Sequence, residues 1–90
     1  MAKFAIKRDG TKEPFDAEKI KASITGAASD AGLPEERTNE VTEQVLGAVM
    51  QMAEEKEEIP TSEIKEKILS ELDVLEPSVS KAWKEHEQKK

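Results

Sequence analysis

The sequence predicts an α+β domain, an N-terminal β-hairpin packed on a four-helix bundle, with residues 1–90 forming one unit. Three observations carry this prediction. Asp9-Gly10 separates two short runs of alternating character. Apolar residues then recur at three- and four-residue spacing in successive stretches, and Gly or Pro stands at each boundary between them.

The hairpin comes first. Asp-Gly favours a two-residue type I′ turn, whose central residues need the positive φ that glycine adopts without strain. Phe4 to Lys7 and Lys12 to Phe15 then pair antiparallel, with Phe4, Ile6 and Arg8 on one face and Ala5 and Lys7 on the other. Pro14 has no N–H for a ladder, so the second strand is an outer one or ends early.

Asp16 suits an N-cap, and Ile20, Ile24, Ala27 and Ala31 come after it on one helix face. Gly32-Leu33-Pro34 stops that helix, with glycine in the left-handed closing position. Val41, Val45, Ala48, Val49 and Met52 form the stripe of a second helix, with Met50 and Met52 as core filler, before the polar run Glu54 to Glu58. Ile59 to Glu63 is a short break: Pro60 disfavours a continuous helix, Thr61 or Ser62 can cap a new one, and Glu63 suits its positive first turn. Ile64, Ile68 and Leu72 form the third stripe. Pro77 opens a last helix carrying Val79 and Trp83, which frays into Gln88-Lys89-Lys90.

Composition narrows the function classes. A chain of 90 residues buries only about 60% of the surface its unfolded form exposes, so a bound ligand would add appreciably to its stability. With no cysteine there is no disulfide, thiolate zinc site or thiol nucleophile, and an intracellular, cytoplasmic setting fits. No apolar run approaches the roughly 20 residues of a membrane span. A soluble protein is expected.

Charge is unevenly spread. Residues 1–21 hold six basic and four acidic side chains, a balance of +2, so the remainder carries −8 in a chain of net charge −6. An acidic body repels nucleic acid, whose binding needs a broad basic face. A compact anion with few phosphates needs only a local patch. The basic hairpin side chains have a second reading, in which they simply keep an exposed edge soluble.

Ile6-Lys7-Arg8-Asp9-Gly10, then Glu13, Phe15, Asp16 and Lys19-Ile20, with Thr61-Ser62-Glu63-Ile64 downstream, resemble the ATP-cone, a regulatory nucleotide-binding domain of about this length. The resemblance covers essentially the whole chain. It implies binding of ATP or dATP rather than catalysis, with any Mg²⁺ arriving on the phosphates. Such domains sit in ribonucleotide reductase large subunits and in the zinc-ribbon repressor of their genes. Carried over, Lys7 and Arg8 hold phosphates, Lys19 joins them from the first helix, Glu13 and Asp16 face base or sugar, and Thr61 and Lys65 form the opposite wall. No Cys-x-x-Cys pairs precede the hairpin, so the zinc-ribbon repressor is not expected, and Trp83 with Lys84-Glu85-His86 replaces the Tyr-and-Arg pattern of fused members.

The chemistry fits those roles. Arg8 can meet a phosphate through two parallel hydrogen bonds while Lys7 and Lys19 act as point charges. Strand alternation puts Lys7 and Arg8 on opposite faces, which would let only one touch the ligand. Thr61 alone reads equally as a plain helix cap, and His86 as a solvated side chain. The chain lacks a Gly-x-x-x-x-Gly-Lys-Ser/Thr loop and an ordered Ser, His and Asp set, so an enzyme is not expected. The resulting expectation is a nucleotide sensor that signals through self-association or a protein partner. The alternative is a helical interaction module that keeps the fold without the nucleotide.

Overall fold

A computed structural model describes residues 2–88. The chain runs β1 (Phe4–Ile6), β2 (Lys12–Pro14), α1 (Ala17–Asp30), α2 (Glu35–Glu54), β3 (Glu58–Pro60), α3 (Thr61–Leu75) and α4 (Pro77–Gln88). The α+β class and the four helices are as the sequence predicts. Gln88, expected to fray, is the last residue of α4, and the fraying expected at Lys89 and Lys90 lies outside the described residues.

The sheet differs from expectation in two ways. It has three strands in the order β2-β1-β3, with β1 antiparallel to β2 and parallel to β3. The stretch read as a break between helices therefore contains a strand. Its Ile59 is fully buried between exposed Glu58 and Pro60, while the Glu57 carbonyl accepts from Lys3 N at 2.7 Å and Phe4 N at 3.2 Å. Pro14 does lie on an outer strand.

The hairpin loop is also longer than a type I′ turn. Gly10 N donates to Lys7 O at 2.9 Å and Lys7 N to Thr11 O at 2.9 Å, which encloses Arg8, Asp9 and Gly10. Gly10 has φ 88°, and no described non-glycine residue has positive φ. A three-residue loop with its left-handed residue last needs one glycine, whereas a type I′ turn would have forced Asp9 left-handed as well. Asp9 Oδ1 instead accepts from Thr11 N at 2.9 Å.

The helix ends obey their local chemistry. Asp16 caps α1, accepting from Glu18 N at 3.0 Å and Lys19 N at 3.4 Å. At the other end Gly32 has φ 83°, with Gly32 N on Ser29 O and Leu33 N on Ala28 O, the paired closure of a Schellman motif. Pro77 is the first residue of α4. The expected Thr61 or Ser62 cap is absent: Pro60 occupies the N-cap of α3 and no side chain caps it.

The core is built from the predicted stripes. Ile24 of α1, Val41, Val45 and Val49 of α2, Ile68 and Leu72 of α3, and Val79 and Trp83 of α4 are buried, and the sheet adds Ala5 and Ile59. Ala5 therefore marks the inner face of the hairpin, and Phe4, 41% exposed, the outer one. There Lys12 crosses to Glu58 at 2.6 Å, its ammonium 6.0 Å from the Phe4 ring centre. Met52 packs against the core, whereas half-buried Met50 lies outside it. Arg37 ties the start of α2 to the α3–α4 junction through Glu76 at 2.7 Å and the Leu75 carbonyl at 3.2 Å. The hydrogen bond to Glu76 raises its pKa above the usual arginine value. His86 is not free in solvent: its Nε2 contacts the Asp30 carboxylate, joining α4 to the end of α1.

Candidate functional site

The parallel pairing of β1 with β3 builds the site. Ile6 lies opposite Pro60, so both strands end at the same edge of the sheet. The segments leaving the two strands emerge side by side: Lys7 and Arg8 in the hairpin loop, Thr61 and Ser62 at the start of α3. The uncapped N-terminus of α3 brings backbone N–H groups and the positive end of its dipole to that edge, with Lys65 one turn in. The Asp16 cap opens α1 alongside and sets Lys19 in its first turn.

Two adjoining hollows result. The first, of about 160 Å³, has a floor formed by Ile20, Ile64, Ile68 and Trp83, with Glu13, Asp16, Lys19, Thr61 and Lys65 around it. The second is an open groove of about 1080 Å³ lined by Lys7, Arg8, Thr61, Ser62 and Lys65, with Glu13, Glu66 and Glu87 among its acids. Glu13, Thr61, Lys65 and Glu87 belong to both. The first alone falls short of the roughly 300–1,000 Å³ of a small-molecule pocket, so an extended ligand would use both.

All seven side chains singled out from sequence line this double hollow. Lys7 and Arg8 share the groove despite the expected alternation, because Arg8 belongs to the loop rather than the strand and is released from the two-residue period. Lys19 lines the apolar hollow and not the groove. Asp16 combines capping with a place on the rim.

Other lining residues were not singled out for the site. Ile64, Ile68 and Trp83 read as core stripe, and they are indeed buried, but one edge of each faces the hollow. Trp83 Nε1 donates to Ser23 Oγ at 2.7 Å, which fixes the indole as a wall. Helical periodicity marks Ile64, Ile68 and Trp83 as inward-facing, though not as lining a cavity. Glu87 carries no local signal.

The cations are partly engaged. Lys7 pairs with Glu13 at 3.3 Å and Lys65 with Glu87 at 3.5 Å. Half-exposed pairs of this kind are worth about 0–1 kcal/mol, less than the roughly 1.5–3 kcal/mol of a hydrogen bond to a charged group, so a phosphate can displace them. Among the described residues no group of three or more His, Asp or Glu is placed to hold a metal ion.

Residues 3–88 match the family described as the ATP cone domain. The transcriptional repressor NrdR of Rhodopirellula baltica is 37% identical to this chain over 71 residues, which make up 79% of the chain and 44% of the repressor. The chain thus spans less than half the length of that relative.

Proposed function

The chain belongs to the ATP-cone family, a regulatory nucleotide-sensing domain, and on that premise we propose that it binds ATP or dATP across the double hollow without catalysing a reaction. The triphosphate lies in the groove, held by Lys7, Arg8 and Lys65 and by the N-terminus of α3 beside Thr61. The base and sugar enter the apolar hollow between Ile64, Ile68 and Trp83, with Glu13 and Asp16 at its rim and Lys19 reaching toward the phosphates. Mg²⁺ arrives on the phosphates, because it keeps several waters and leans on phosphate oxygens rather than on a protein cage.

One observation carries this reading: seven side chains from two distant segments of the chain line adjoining hollows at one edge of the sheet. Residues 1–90 act as one domain, and nucleotide state passes to a second copy or a protein partner through the difference in affinity between two states. No described helix is long and apolar enough to cross a membrane. A cytoplasmic setting is part of the proposal, and the acidic body argues against a nucleic-acid partner.

A thermal melt with and without nucleotide tests it. At ligand about 100 times Kd, stability rises by about 2.7 kcal/mol. Lys7→Ala and Lys19→Ala each weaken ATP binding about tenfold. An unmoved melt with ATP and dATP would leave the helical interaction module in its place, and unchanged affinity in both variants would remove those lysines from the site.

A further inference from the structure

Glu87 stands where a polyphosphate site has least use for a carboxylate. It reaches from the last turn of α4, lines both hollows, and its side chain is 22% exposed against 38% for Glu13, the other acid common to the two. Its Oε2 is 3.5 Å from Lys65 Nζ. Over the two hollows together, the described lining residues include four basic side chains and four acidic ones, so their formal charges cancel. A highly charged anion gains little from such a site unless an internal carboxylate gives way.

We infer that Glu87 is an intramolecular competitor for the phosphates: it occupies Lys65 in the empty site and thereby sets the affinity for the charged part of the ligand. This rests on the nucleotide reading above. A phosphate that takes Lys65 must either displace the Glu87 carboxylate or bear its repulsion. Displacement also removes a tie between α3 and the end of α4, the element outside the hairpin, α1 and α3 that supplies both Trp83 and Glu87 to the first hollow. Ligand occupancy is thereby linked to how firmly the last turn of α4 is held.

Glu87→Gln keeps the side chain's size and one acceptor oxygen while removing its charge. Two like charges about 4 Å apart repel by about 1 kcal/mol even at the dielectric of water, so the variant binds ATP about fivefold more tightly, with adenosine affinity unchanged. ATP binding is read by calorimetry and adenosine binding by NMR titration. If the Lys65–Glu87 pair merely pins α4, the variant melts earlier without ligand and its ATP affinity is unmoved. That result overturns the inference and leaves the nucleotide reading intact. Equal tightening for ATP and adenosine also overturns it, since the gain would then not depend on the phosphates. If neither protein binds ATP, both readings fall.

Discussion

Trp83→Phe tests the joint between the first hollow and the core. The indole is 3% exposed, and its N–H, which can only donate, meets Ser23 Oγ at 2.7 Å between α4 and α1. Phenylalanine keeps an aromatic ring but leaves the half-buried Ser23 oxygen without its donor, at about 1 kcal/mol, and leaves part of the site unfilled, at about another 1 kcal/mol. The loss of about 2 kcal/mol lowers Tm by about 8–16 °C for a domain of this size. It leaves the fold in place, since total stabilities run to about 5–15 kcal/mol. The bond itself is isolated by a double-mutant cycle with Ser23→Ala, read by urea denaturation, with a coupling of about 0.5–1.5 kcal/mol expected. Coupling below about 0.3 kcal/mol would mean the two groups do not interact, and the account of how α4 holds the hollow's wall would fail.

Gly10→Ala costs about 1–2 kcal/mol by urea denaturation, from backbone strain alone, because Gly10 has φ 88° and an added Cβ meets open space. A loss under about 0.3 kcal/mol would mean the loop relaxes to another conformation. Ser80→Ala leaves stability unchanged or raises it by about 1 kcal/mol, since Ser80 Oγ is buried with no hydrogen-bond partner among the described residues; a loss above about 1 kcal/mol would reveal a bond to that oxygen. Hydrogen bonds from the Thr11 side chain, then its backbone N–H, hold the Asp9 carboxyl below its ordinary 3.8. A lowered carboxylate pKa stabilises the folded form above the unfolded value and loses that contribution as pH falls through the folded one. Thr11 amide protection therefore holds above about pH 4 and falls in stronger acid, and a flat profile down to about pH 2 would sink the assignment.

Much of the fold was legible because its causes are local. The Asp16 cap, the Gly32 closure and Pro77 at a helix start each depend on groups within a few residues, so residue type and spacing suffice. The buried stripes through Ile24, Val45, Ile68 and Val79 arise from the helical period. The errors fall where a residue's state depends on distant partners. β3 has three residues and one buried side chain, too few for a period to show, and its hydrogen bonds run to β1 at the other end of the chain. Thr61 had the chemistry of a cap, but Pro60 already ends a strand there, which makes Thr61 the first helical residue instead.

The site divides the same way. Motif resemblance marked out Lys7, Arg8, Glu13, Asp16, Lys19, Thr61 and Lys65, whose side-chain chemistry suits an anion and its sugar. Which of them meet, and over what surface, was decided by the parallel register of Ile6 on Pro60, a long-range pairing that no short-range pattern encodes. The same tertiary packing set Trp83 and Glu87 beside them from the far end of the chain. Local chemistry is fixed by bonded neighbours, whereas a cavity belongs to elements that touch only once the core has formed.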